Sequence, residues 1–132
     1  MRIGTFIFAF AALIAFSDFA PAQAPTPPRQ VIREDLSGLA GQEVIMQEVT
    51  IAPGGSIPWH MHPDGHEITY VIEGTVKLEV DGQGVRELKP GDGFHLQPGT
   101  VHRAFNDSAA PVKAVVVRVN AKGKPIAVPV QK

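Results

Sequence analysis

The sequence contains no cysteine. That excludes a disulfide framework and a lipid anchor through Cys, so stability has to come from a packed core or a bound group. It also lacks any marked excess of charge, with 12 Lys and Arg against 13 Asp and Glu and a formal net charge of -1. No basic cluster is interleaved with aromatics, so the electrostatic footprint of a nucleic-acid binder is missing. Blocks of like charge, which form solvated tails, are absent as well. No apolar run reaches the ~20 residues that a bilayer-crossing helix needs, which argues against a membrane partner for the processed chain. With 132 residues, one domain is expected.

What is present begins with Arg2 and an uncharged stretch over 3–16 rich in Phe, Ala, Ile and Leu. Ala20-Pro21-Ala22 and Ala22-Gln23-Ala24 follow as small-x-small exits. A positive start, a short apolar core and small residues at the exit describe a secretory signal peptide. Cleavage is expected after Ala22 or Ala24, and Pro25 at the new terminus disfavours the second. The expected location is periplasmic or extracellular. Roughly 110 residues would remain, enough for a core that buries about two-thirds of the unfolded surface.

The four expected segments are a signal peptide over 1–22, an N-terminal linker and first strand over 23–35, a barrel over 36–121, and an extended tail over 122–132. Residues 25–29 are proline-rich and read as extended. Beyond them Gly and Pro punctuate short runs rich in Val, Ile and Thr, at 43–51, 57–62, 67–73, 75–80, 85–88, 93–96, 102–106 and 112–119. Such runs are strands, and Asp81-Gly82 between two of them signals a hairpin. Regular short strands between turn residues predict an all-β sandwich or closed barrel. A helix candidate at 36–41 is cut by two glycines.

All five histidines, at 60, 62, 66, 95 and 102, lie in the middle third of the chain. His60 and His62 are two apart in a predicted strand, so they project from one face about 6.6 Å apart and can converge on one ion. Glu67 begins the returning strand after Pro63-Asp64-Gly65. Glu67, Thr69 and Val71 share a face there, while His66, Ile68, Tyr70 and Ile72 share the other. His102 follows the turn Pro98-Gly99-Thr100 and opens another strand. The pattern makes His60, His62, Glu67 and His102 the candidate metal ligands. His66 reads as a rim residue, although an irregular start to its strand would let it replace Glu67. The direction of His95 is open. Asp92 belongs to a turn. Ile57, Trp59, Tyr70, Phe94 and Phe105 are core residues or cavity walls, and Arg103 should face away from His102.

Two stretches resemble the paired motifs of the cupins. Gly54-x5-His60-x-His62-x4-Glu67-x6-Gly74 is similar to the first, and Gly91-x5-Gln97-Pro98-Gly99-x2-His102-x3-Asn106 to the second. One position departs: Gln97 stands where the second motif usually has proline, with Pro98 displaced by one. The resemblance implies an antiparallel jelly-roll β-barrel of about six to eight strands, with ligands at the four positions already named. It makes Asn106 structural or a support behind the ligands.

Three imidazoles and a carboxylate suit a divalent transition metal such as Fe, Mn, Ni, Cu or Zn, with open positions for a small molecule. Three functions fit. One is a metal-dependent enzyme, such as a dioxygenase-type oxidoreductase acting on a small organic substrate. Another is a non-catalytic metal- or ligand-binding protein, a scavenger or sensor. In the third, metal stabilises a structural barrel. The expected partners are a small molecule and a second copy forming a homodimer, with an N-terminal strand near 31–33 reaching a neighbour's sheet edge.

Overall fold

A computed structural model describes residues 26–132, so the expected signal peptide lies outside the described residues. Among the described residues the regular structure is all strand: β1 Arg29–Asp35, β2 Gln42–Ile51, β3 Ser56–Met61, β4 Gly65–Glu73, β5 Val76–Val80, β6 Gly84–Leu88, β7 Gly93–Leu96, β8 His102–Phe105, β9 Val112–Ala121 and β10 Val128–Pro129. They form two five-stranded sheets in the orders β1-β2-β9-β4-β7 and β10-β3-β8-β5-β6, with antiparallel pairing throughout. This is the jelly roll expected from the sequence. The strand count exceeds the expected six to eight because each terminal segment adds an edge strand, β1 to one sheet and β10 to the other. Residues 36–41 form turns rather than a helix.

The core follows from alternation. Val71 on β4 and Val112, Ala114 and Val116 on β9 face inward from one sheet, and Val76, Leu78 and Val80 on β5 face them from the other. Interlocking of the two inner faces fills the middle of the barrel and leaves one end for polar residues. Gly74 follows β4 at φ +76, and a Cβ there would meet the Pro111 carbonyl oxygen at 2.3 Å. Only glycine allows the chain to turn that closely under the next strand.

Asn106 ends β8 because its side chain is spent on the backbone. Its Nδ2 donates to the carbonyls of Ile51 and Ala110 at 3.0 and 2.8 Å, and its Oδ1 accepts from the Ser108 N–H at 3.0 Å. These bonds fold the β8–β9 loop on itself and tie it to the end of β2, so its role is structural. β1 pairs with β2 of the same chain. Replacement Asn106→Ala would leave the buried Ile51 carbonyl and the half-buried Ser108 amide without this partner, and should cost about 1–3 kcal/mol. Urea denaturation checks this through a lowered midpoint; an unchanged midpoint would contradict the role given to Asn106.

Candidate metal centre

His60 on β3 and His102 on β8 are cross-strand partners in one sheet. His62 lies one residue past the end of β3, and Glu67 stands on β4 of the opposite sheet. The short β3–β4 connection therefore brings donors from both sheets to one end of the barrel. One donor atom from each of the four residues falls within 4.8 Å of every other. Ring centroids are 5.0 Å apart for His60 and His62, 4.2 Å for His60 and His102, and 5.3 Å for His62 and His102. His62, Glu67 and His102 are buried, while His60 is partly open.

The backbone sets the direction of each ring. Nδ1–H of His60 donates to the Pro58 carbonyl at 2.8 Å, and that of His102 to the Thr100 carbonyl at 2.9 Å. His62 Nδ1–H donates to the carbonyl of Ile126 in the C-terminal tail. With Nδ1 committed in all three rings, the Nε2 lone pairs point to the shared centre. Nε2 of His62 and of His102 are buried without a hydrogen-bond partner. His62 Nε2 nevertheless lies 2.7 Å from Glu67 Oε2. In a neutral ring both atoms are acceptors, and only a cation or a shared proton reconciles them. The donor set therefore fits a borderline divalent ion, and these four residues could hold one.

Arg118 supports Glu67 from the neighbouring strand β9. Its Nη2 donates to Glu67 Oε2 at 2.8 Å and its Nη1 to Gln47 at 2.5 Å, while Thr69 donates to Glu67 Oε1 at 3.2 Å. Burial pushes the Glu67 carboxyl upward, but the facing His62 imidazole and then the Arg118 guanidinium outweigh it and bring it down to about 2. Burial lowers His60 to about 4 and also lowers His102, leaving both rings neutral and able to donate lone pairs.

The other candidates go elsewhere. His66 faces away from the centre and is joined to His95 at 2.9 Å between Nδ1 and Nε2, so neither ring reaches the site. Tyr70 is exposed on the outer face, and Ile57 and Phe94 pack against the core beside the cavity. Trp59 contributes to the cavity lining while its ring lies 5.2 Å beneath Arg103, which pairs with Glu79 and so turns away from His102. Asp92 caps its turn by accepting the Lys89 N–H at 2.8 Å. The Gln97 departure removes nothing: Pro98 and Gly99, the latter at φ +76, occupy the middle of a turn closed by Thr100 N–H onto the Gln97 carbonyl at 3.2 Å. Gly99 N–H then donates to the His62 carbonyl at 2.8 Å, coupling this turn to a second ligand position. A cavity of about 400 Å³ opens over the centre, walled by Val49, Ile57, Leu78, Phe94 and Val116.

Comparison with known proteins agrees with this geometry. The cupin domain family model matches residues 47–118. The chain belongs to the cupin family. Among cupin relatives, the tetracenomycin polyketide synthase protein TcmJ of Streptomyces glaucescens is 29% identical over 107 residues, covering 81% of this chain and 70% of that protein. Germin-like protein 4-1 of Oryza sativa subsp. japonica is 32% identical over 105 residues, covering 73% of this chain and 40% of its own length. A solved oxalate oxidase in complex with the substrate analogue glycolate is 31% identical with a TM-score of 0.57, over 66% of this chain and 46% of that one. A conserved protein with a double-stranded β-helix domain from Klebsiella pneumoniae superposes with a TM-score of 0.58 at 27% identity, over 82% and 90% of the two chains. This cupin thus spans less than half of the germin-like protein and of oxalate oxidase.

The shifted groups make a pH prediction for the metal-free protein. Folded His60 holds its proton only below about 4, against 6.5 ordinarily, so the unfolded chain binds more protons between those values. Stability should fall as pH drops from about 6.5 to about 4, and fall further between 4.5 and about 2 as the Glu67 contribution is lost. Denaturant midpoints across this range check the sign; a midpoint that rose on acidification would contradict it.

Proposed function

We propose that this cupin binds one divalent transition metal (Fe, Mn, Ni, Cu or Zn) through His60, His62, Glu67 and His102. We further propose that it acts outside the cytoplasm as a metal-dependent, oxygenase-type oxidoreductase on a small organic molecule. The observation that carries the reading is the convergence of three imidazole Nε2 atoms, each set by a backbone carbonyl, on a carboxylate held in place by Arg118. A bound ion of this kind supplies a Lewis-acidic or redox centre with positions open to small ligands. The chain's own contribution is to orient the donors and to wall the space above them with apolar side chains that exclude water. The oxalate oxidase relative, solved with glycolate, supports a small oxygen-bearing substrate. Secretion rests on the apolar stretch over 3–16 and its small-x-small exits.

A second reading, a non-catalytic metal- or ligand-binding protein, is favoured by the cavity lining. Among the described residues that line it, the ionisable ones are the four donors and Arg118. No separate side chain is there to serve as general base.

Metal analysis of protein purified without chelators should find about one ion per chain, and His102→Ala should reduce this to near zero. Wild type holding under about a tenth of an equivalent after reconstitution would sink the metal reading. Metal-dependent oxygen uptake over a panel of small carboxylates, catechols and thiols would place the protein with the enzymes. Full loading without uptake would place it with the binders.

A further inference from the structure

Three of the five histidines serve the inner centre. The remaining two meet on the outside of the barrel. β4 and β7 pair with Ile68 opposite His95, so His66, two residues earlier on the same outer face of β4, lies on the diagonal from His95. Across that diagonal His66 Nδ1 and His95 Nε2 stand 2.9 Å apart, with the rings 26° from parallel and their centroids 5.2 Å apart. β7 is an edge strand, and His95 is exposed on it while His66 is half-buried.

The pair is held differently from the rings inside. His60, His62 and His102 each commit Nδ1 to a backbone carbonyl. Among the described residues, the rings of His66 and His95 hydrogen-bond only with each other. Their neighbours in the register, Val119 and Ile68, offer no polar side chain. Between two neutral imidazoles the contact needs one N–H aimed at the other ring's lone pair. An ion in place of that proton takes a lone pair from each. Bonds of ~2.0–2.1 Å meeting at a right angle put two nitrogens about 2.9 Å apart, whereas a tetrahedral ion needs about 3.3–3.4 Å. The observed 2.9 Å is the edge of a square. The χ2 well of a histidine is broad, so on exposed His95 the small ring turn that aims both lone pairs at one point costs little.

We propose that His66 and His95 form a second metal site, on the outer face, that takes Cu(II) in a tetragonal arrangement with water on the remaining corners. Tetragonal nitrogen and oxygen coordination is the preference of Cu(II) and Ni(II), and a given donor set binds Cu(II) the more tightly of the two. Tetrahedral Zn(II) fits the spacing less well. The site takes no residue from the inner centre. Side chains 66 and 67 leave β4 on opposite faces, so an ion outside leaves Glu67 where it is. Two protein ligands hold an ion more weakly than four. The outer ion is therefore exchangeable, and it is read by adding metal rather than by analysing the protein as purified.

Equilibrium dialysis of the full chain against Cu(II), with electron paramagnetic resonance of the bound ion, tests this. Wild type should take up two equivalents, the weaker of them with a spectrum showing two equatorial nitrogens. His95→Gln should weaken that equivalent by at least about tenfold, and His66→Gln should do the same. Circular dichroism should stay unchanged in both, because both side chains stand outside the core. The double variant His60→Ala with His102→Ala should lose the inner equivalent and keep the outer one, nitrogen pattern included. If wild type binds a single equivalent that His95→Gln removes and the double variant keeps, the outer site stands and the inner metal reading falls. Uptake that stops at the equivalent lost in the double variant would overturn the inference. So would a second equivalent indifferent to both glutamine variants, by assigning it to another donor set. Should neither glutamine variant fold, the double variant decides: an ion bound there with one nitrogen or none would overturn the proposal.

Discussion

Three imidazoles and an ionised carboxylate pressed into one buried space set lone pair against lone pair unless a cation or a shared proton stands among them. Two of the Nε2 atoms here have no hydrogen-bond partner and are closed off from water. Leaving such groups unpaired costs on the order of 1–3 kcal/mol each. The fold accepts that strain locally and holds the rings in place from behind with backbone carbonyls of Pro58, Thr100 and Ile126. The three carbonyls come from strand β3, the β7–β8 turn and the C-terminal tail, so the site depends on the whole end of the barrel being assembled.

The sheets supply what the loops cannot. Glu67 and Arg118 are cross-strand neighbours on β4 and β9, so the register of that pair sets the carboxylate's partner. Gln47 on β2 takes the other end of the guanidinium, continuing the support across a third strand. A slip of one residue in β9 would turn Arg118 outward and put Val117 against Glu67, which is why register matters here more than composition. The C-terminal tail has a comparable role: Val128 and Pro129 pair with β3, and Ile126 just before them fixes His62.

Most of this frame was legible in the sequence, for identifiable reasons. Alternation correctly divided Glu67, Thr69 and Val71 from His66, Ile68, Tyr70 and Ile72, because a strand with one buried face leaves no choice. Paired motif spacing placed the donors, since the glycines that allow the turns stand at set distances from the histidines. Arg118 was not singled out, although a period-two reading of Val112, Ala114, Val116, Arg118 and Asn120 points it inward. A charged residue in such a series is the available signal. The Ile126 carbonyl was beyond sequence reading, because any residue type offers a carbonyl and the contact spans 64 residues. His66 and His95 came together outside the barrel, a pairing that required knowing that β7 lies beside β4.

The barrel thus works with an inner face divided between apolar filling and a polar end. Central to the account is that three imidazoles and one carboxylate surround a single ion. X-ray absorption of the metal-loaded protein measures that most directly. The expected spectrum has a first shell of nitrogen and oxygen near 2.0–2.2 Å, with outer-shell scattering from about three imidazoles. A first shell with one imidazole or none would contradict the account.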